Sequence, residues 1–277
     1  MSDYFSSWQG FDFAWLSETI SQMQEVIRPA IEAIYNIQST LKPIVEAVEQ
    51  HNQEFAEIGQ ALLHFSRRYS AIMVMGEAQF VFWDYMTDEY VDVIVDAGNI
   101  NKTLRDEMLR DRFSKVKGTV DKTISFPVMQ KHKRLYLQSV EAFYNGNSDL
   151  AVTGFTSVFD GLLADTSGNP TSSLKPRVEM IKQKIENAEL LDQDEYAMVT
   201  LATTLQMTLD SFSTNSDFKG KEPKGLNRHW IAHGRSTRKK TKLDCIKMVN
   251  LIYGLLLVGH LESVKAHSLS CENGESA

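Results

Sequence analysis

The chain is poor in cysteine, proline and glycine. Its 277 residues include only two cysteines, Cys245 and Cys271, together with six prolines and 15 glycines, whereas an average chain has about 5% proline and 7% glycine. Two cysteines are too few for a disulfide framework or a cysteine-rich zinc site. With 43% hydrophobic residues and few helix breakers, the composition favours a globular helical protein that is stable without cross-links.

Targeting and membrane signals are also missing. The first residues carry acids where a secretory signal peptide needs a basic start and an unbroken apolar stretch. The most apolar stretch, residues 248–261, is interrupted by Asn250 and His260 and is too short to span a bilayer. We therefore expect a cytoplasmic protein with no membrane partner.

The familiar catalytic and cofactor motifs are absent as well. The chain has no P-loop, no glycine-rich dinucleotide turn, no GxSxG elbow and no HExxH. His229 and His233 have a spacing that metal ligands can use on a helix, but no third ligand is evident beside them. We therefore expect no metal and no cofactor. The aromatic cluster around Trp83 is predicted to belong to the core.

Apolar residues recur with a period of seven between residues 17 and 72. One set runs from Ile20 to Tyr69, and a second set, three residues further on, runs from Met23 to Ile72. This a/d pattern predicts a long helix, or a helix pair, that buries one stripe against another helix. The partner helix belongs either to a second chain, as in a coiled-coil dimerisation arm, or to the same chain, because heptads do not identify the partner.

The rest of the chain shows helical periodicity and no strand-like alternation of useful length. Helices are expected at residues 80–98, 105–113, 135–144, 150–164, 176–188, 192–212 and 242–264, with a boundary near Pro127. The predicted parts are an N-terminal arm (1–75), connecting helices (76–127), a helical domain (128–265) and a disordered polar tail (266–277). The predicted fold class is all-α, with a C-terminal helical bundle that follows the long N-terminal helix or helix pair.

Positive charge is concentrated in one segment, residues 219–247. The whole chain, with 29 Lys+Arg and 36 Asp+Glu, has a formal net charge of −7. This basic segment contains ten lysines and arginines and two acids, a local charge of +8, which leaves −15 for the remainder. A basic segment in an otherwise acidic chain favours binding of a polyanion at that place and repels it elsewhere.

The middle of the basic segment reads NRHWIAHG, residues 227–234. In it Arg228 and His233 form an R-x4-H pattern, and His229 follows the arginine directly. This resembles the R-x4–6-H motif of the HEPN superfamily, the all-α ribonuclease domains of toxin and abortive-infection systems. The motif precedes the last long helix, where HEPN bundles have it, and residues 134–163 resemble the first helix pair of such a bundle. The resemblance covers residues 128–265.

The resemblance implies a metal-independent endoribonuclease that acts as a toxin or as an anti-phage defence effector. His233 would be the general acid/base in the attack of a ribose 2′-hydroxyl, and Arg228 would stabilise the phosphate. His229 would orient the reactants or act as a second polar group. Flanking phosphates are expected to bind the neighbouring bases Arg235, Arg238, Lys239, Lys240 and Lys242.

Two further residues and the oligomeric state complete this hypothesis. Asn227 either supports the site or, as we favour, caps a helix N-terminus, and Asp160 lies where an acid of the second helix would meet the motif. Residues five apart on an ideal helix point about 140° apart, so one motif does not surround a phosphate by itself. HEPN ribonucleases pair two motifs across a dimer. The resemblance therefore implies a homodimer that binds RNA, controlled by an inhibitor or activator protein.

Two other functions fit the same residues. One is a catalytically inactive HEPN-like module that binds RNA or a partner protein and uses the coiled-coil arm as its interaction element. The other is a structural helical protein in which the basic segment is a solvated loop and Arg228 is a salt-bridge partner. RNA cleavage would indicate the ribonuclease, and RNA binding without cleavage would indicate the inactive module. The absence of both would indicate the structural protein.

Overall fold

The computed structural model describes residues 41–44, 53–82, 88–100, 108–109, 113–169, 173–187, 195–214 and 218–274. Within these residues the protein is helical and contains no strand, which confirms the predicted all-α class. Its α-helices are α1 (Gln53–Glu77), α2 (Asp88–Ala97), α3 (Ser114–Ser125), α4 (Lys133–Tyr144), α5 (Ser148–Ser167), α6 (Leu174–Asn187), α7 (Glu195–Ser213), α8 (Arg228–Ala232) and α9 (Lys242–Gly274). A 3₁₀ helix covers Pro127–Lys131.

The chain divides into two compact units, Met1–Ser70 and Ala71–Ala277. The predicted end of the N-terminal arm, residue 75, lies close to this division. In the second unit, residues on both sides of residue 128 share one hydrophobic core, which includes Ile94 of α2, Val120 of α3, Phe155 of α5 and Val249 of α9. The described connecting helices and the helical domain are therefore parts of one folded unit.

Most of the heptad segment lies outside the described residues. Of the second heptad set, Ile44 is half exposed, whereas Ile72 in α1 is buried. The coiled-coil arm stays a prediction for this reason. Trp83 and most of the helix expected at residues 105–113 also lie outside the described residues.

Helices α4 to α7 begin and end close to the predicted residues, whereas two differences concern α2 and α9. Residues 80–82 are not helical, because the chain turns after α1 at Gln79, whose φ of 56° is in the left-handed region. The predicted end of α2 is confirmed at Gly98, which has a φ of 58°. At the C-terminus, α9 continues to Gly274, so residues 266–274 are helical and not disordered. Neither glycine nor proline interrupts the chain between His260 and Gly274.

Helix α9 is the central helix of the second unit and packs on α3, α5 and α7. Cys245, Ile246 and Val249 are completely buried in it. By length and composition alone, the part Lys242–His260 could cross a membrane. It is longer than the apolar stretch 248–261 that the sequence singled out. Most of it is buried inside the protein, as the core helix of a globular domain would be.

Helices α4 and α5 form an antiparallel hairpin that carries one side of the candidate site. Two glycines of α5 allow the helices to approach closely. A Cβ at Gly154 would lie 2.1 Å from the Ser139 hydroxyl oxygen, and one at Gly161 would lie 2.5 Å from Cε1 of His132. Gly161 follows Asp160 directly, so this close packing lies next to the acid of α5 that faces the motif.

Candidate functional site

The residues of the motif NRHWIAHG form a short capped helix. Asn227 precedes α8 in an extended conformation, and its Oδ1 accepts a hydrogen bond from the Trp230 N–H at 3.1 Å. This confirms the predicted N-cap. At the other end Gly234 has a φ of 63° and donates its N–H to the Ile231 carbonyl, while the Arg235 N–H donates to the Trp230 carbonyl. This is a Schellman motif, so residues 227 and 234 delimit the helix by local chemistry.

The helix of the motif is short. It ends at Ala232, and His233 is its C-cap residue, with φ −90° and ψ 6°. Arg228 therefore lies in the first turn, whereas His233 lies just beyond the last helical residue. The reason is Gly234, which adopts the left-handed conformation that ends a helix.

Asp160 of α5 holds Arg228 by a bidentate ion pair. The arginine Nε donates to both carboxylate oxygens at 3.0 Å, and Nη2 donates to Oδ2 at 2.7 Å. Each side chain is about one quarter exposed. Asp160 therefore meets the motif, as its place in the second helix predicts. Among the described residues Nη1 has no hydrogen-bond partner, and this edge of the guanidinium remains able to bind a further anion.

Replacing Asp160 by asparagine is expected to lower the free energy of unfolding by about 1–2 kcal/mol, because a neutral amide binds the guanidinium more weakly. A double-mutant cycle with Arg228→Gln, measured by urea unfolding, should give a coupling of about 1 kcal/mol. Asp165→Asn is the matched control on the same helix, since Asp165 contacts Lys131 and His132 instead. Equal coupling for Asp160 and Asp165 would contradict the prediction.

The two histidines of the motif contact each other and a phenylalanine. The ring centroids of His229 and His233 lie 4.7 Å apart. Phe218 stacks on His229 with a centroid distance of 4.4 Å and an interplanar angle of 7°, and it lies edge-on to His233 at 5.6 Å. The sequence did not identify Phe218, because nothing in its surroundings distinguishes it from 13 other phenylalanines of the chain.

The surroundings of His229 favour its neutral form. Partial burial lowers the pKa of His229, and the nearby His233 and Arg228 lower it further because they are cationic or can become so. His233 is exposed. The neutral form of an imidazole can accept a proton at neutral pH. The site therefore combines a ring held towards its neutral form, His229, with an exposed ring, His233.

Gln79 anchors the chain immediately before α8. Its side-chain Nε2 donates to the Leu226 carbonyl at 2.7 Å and to the Ser211 hydroxyl at 3.1 Å, and its Oε1 accepts from the Leu226 N–H at 2.5 Å. A Cβ at residue 225 would lie 2.4 Å from this Oε1, so the amide fits only because residue 225 is glycine. Gln79 therefore positions the segment that leads into Asn227. The sequence does not indicate this role, because Gln79 and Leu226 are 147 residues apart.

The five predicted phosphate-binding residues fall into two groups. Arg235, Lys239 and Lys242 are exposed. Arg238 is partly buried and pairs with Asp244 at 3.0 Å. Lys240 is buried, with 6% exposure. The exposed positive surface of the segment is therefore smaller than its net charge suggested.

Lys240 stabilises the loop that follows the motif. The prediction that it binds phosphate is therefore wrong, because its side chain is buried and already bonded. Its ammonium group bonds to the Ser236 hydroxyl and to the Glu222 carboxylate, and its backbone N–H donates to Asp149. The buried ammonium is already neutralised by an acid of the segment. The net charge of the segment does not reveal this ion pair, because Lys240 and Glu222 both belong to the segment and are summed in the same total.

Glu222 organises the loop of residues 236–240. It accepts hydrogen bonds from the Ser236 hydroxyl and from the N–H groups of Thr237 at 2.8 Å and Arg238 at 3.0 Å. Burial alone would raise the pKa of Glu222, but these bonds and the charge of Lys240 outweigh it and lower the pKa to about 2. Glu222 therefore stays ionised and holds the loop beside α8.

Within the described residues, no group of three or more His, Cys, Asp or Glu side chains is placed to hold a metal ion. No protein-family model, no curated protein and no solved structure matches the chain. The resemblance to HEPN domains therefore rests on the motif, its position before α9 and the all-α fold.

Proposed function

We propose that this protein is a metal-independent endoribonuclease of the HEPN type, acting in the cytoplasm as a toxin or an anti-phage defence effector. The observation that carries the proposal is the arrangement on α8. Arg228 is held by Asp160, and His229 and His233 lie beside it with their rings in contact. An arginine and imidazoles can supply the positive charge and the proton transfer that RNA cleavage without a metal requires.

In the proposed reaction a neutral imidazole removes the proton of a ribose 2′-hydroxyl. The 2′-oxygen then forms a bond to phosphorus, the bond between phosphorus and the 5′-oxygen breaks, and an imidazolium gives its proton to that 5′-oxygen. His233 is the general acid/base, since it is the more exposed ring, and His229 orients it. The guanidinium of Arg228 stabilises the negative charge that develops on the phosphate. The products are a 2′,3′-cyclic phosphate and a 5′-hydroxyl.

The proposed enzyme is a homodimer. In-line displacement needs the base and the acid on opposite sides of the phosphorus atom, whereas His229 and His233 contact each other and so lie on one side of it. A second copy of the motif would supply the missing group. Exposed Arg235, Lys239 and Lys242 would bind the flanking phosphates. An inhibitor or activator protein would control the activity in the host.

A second candidate is a HEPN-like module that binds RNA or a protein without cleaving it. The ion pair of Arg228 favours this function, because Asp160 already neutralises the arginine through Nε and Nη2. In this case the arginine joins α8 to α5, and the exposed basic side chains alone provide the affinity for RNA.

Incubation of the purified full chain with RNA in EDTA tests the proposal. We expect fragments that carry 2′,3′-cyclic phosphate ends, identified by mass spectrometry, at a rate that EDTA does not change. Sedimentation of the same sample should show a dimer. Binding that weakens steeply with salt and leaves the RNA intact would instead support the second candidate.

A further inference from the structure

Three side chains beside the motif form a layered stack. The imidazole of His229 lies parallel to the ring of Phe218 at 4.4 Å, and the guanidinium carbon of Arg235 lies over the same ring at 5.1 Å from its centroid. The phenyl ring of Phe218 therefore contacts both an imidazole of the motif and the guanidinium of Arg235.

The guanidinium is the exposed group of this stack. Arg235 is exposed, Phe218 is half-buried, and the Trp230 and Phe218 rings meet edge to face with their centroids 5.4 Å apart. No acid pairs with Arg235 among the described residues, in contrast to Arg228 and Arg238 of the same basic segment. Contact with Trp230 explains why Phe218 is apolar, but it does not explain why a planar cation lies over its ring.

Planar cations and aromatic rings are the surfaces on which proteins stack the bases of single-stranded RNA. We propose that Phe218 and Arg235 form a subsite that stacks one nucleobase of the RNA next to the cleaved phosphate. This inference rests on the proposed ribonuclease function, because His229, which stacks on Phe218, belongs to the reacting pair. A base stacked on Arg235 would bring its own phosphate towards His233, which contacts the same ring edge-on.

The subsite is tested by binding to a nucleic acid that the proposed reaction cannot cleave. A short, mixed-sequence 2′-O-methyl RNA lacks the attacking hydroxyl, and an abasic backbone of equal length has the same charge without bases. Affinities of the full chain for both probes are compared for wild type, Arg235→Lys, Phe218→Leu and Lys239→Ala. Arg235→Lys keeps the charge but removes the plane, and Phe218→Leu keeps an apolar side chain but removes the ring.

We expect wild type to bind the base-containing probe about tenfold more tightly than the abasic one. Arg235→Lys and Phe218→Leu should remove most of this difference. The control Lys239→Ala should weaken both probes alike, since an exposed lysine contributes charge only. Should Phe218→Leu unfold, as circular dichroism would reveal, Arg235→Lys still decides the matter, because its side chain is exposed.

The outcomes separate the subsite from the ribonuclease. Base-dependent binding that both substitutions remove supports the subsite, even if ordinary RNA stays intact. Cleavage of ordinary RNA by a protein that binds both probes equally overturns the subsite and leaves the ribonuclease standing. An unchanged preference for bases in Arg235→Lys also overturns it, and binding of neither probe without any cleavage overturns both.

Discussion

Replacing His233 by alanine is expected to slow RNA cleavage by about 10²–10⁴-fold, the loss that removal of a general acid or base produces. His233 is exposed and caps α8 through its backbone N–H, which donates to the His229 carbonyl at 3.2 Å. The alanine variant keeps this bond. We therefore expect the free energy of unfolding to change by less than about 0.5 kcal/mol.

The rate of cleavage should be measured with the full chain in EDTA, beside the control Lys239→Ala. Lys239 is an exposed base of the same segment with no role in proton transfer, so its loss should affect the affinity for RNA more than the rate at saturating RNA. Cleavage that persists unchanged in His233→Ala would assign the activity to other groups, and the HEPN-type mechanism would then be wrong for this protein.

Replacing Glu222 by glutamine is expected to lower the free energy of unfolding at pH 7 by about 2–3 kcal/mol. The carboxylate accepts hydrogen bonds from the 236–238 segment and pairs with buried Lys240, and a neutral amide leaves that ammonium group without its counter-ion. Glu141→Gln is the matched control, because Glu141 lies exposed on α4. Urea unfolding followed by circular dichroism measures both variants.

The same carboxylate predicts how stability depends on pH. Its pKa is about 2 in the folded protein, below the ordinary value of 4.5. The stabilisation by Glu222 is therefore complete above about pH 4.5 and is lost as the pH falls from there towards 2. In Glu222→Gln this part of the acid destabilisation should be missing. Parallel stability curves for wild type and variant over this range would contradict the assigned pKa.

Several features of the site follow from neighbouring residues and are predictable for that reason. Asn227 and Gly234 delimit α8 because an asparagine side chain can bond to the N–H three residues on and a glycine tolerates a positive φ. Asp160 meets the motif as expected, since its position in the second helix of the pair faces Arg228. The polar composition of residues 266–274 indicates disorder, but α9 continues through them because no helix breaker lies between His260 and Gly274.

Other features depend on residues that are far apart in the sequence. Gln79 binds Leu226, 147 residues away, through both atoms of its amide, and no periodicity or motif connects the two. Phe218 becomes part of the site only when the chain brings it onto His229. Lys240 resembles its exposed neighbour Lys239 in sequence, and only the fold buries it against Glu222.

The sequence by itself determined the helical class, the approximate ends of α4 to α7 and the N-cap of α8 at Asn227, because helical period and capping act over a few residues. Only the tertiary structure decided which charges of the basic segment remain at the surface. Arg228, Arg238 and Lys240 are neutralised by acids, whereas Arg235, Lys239 and Lys242 are exposed. The physical reason is that burial and ion pairing depend on distances in space. A local charge of +8, which is a sum over the sequence, gives no information about those distances.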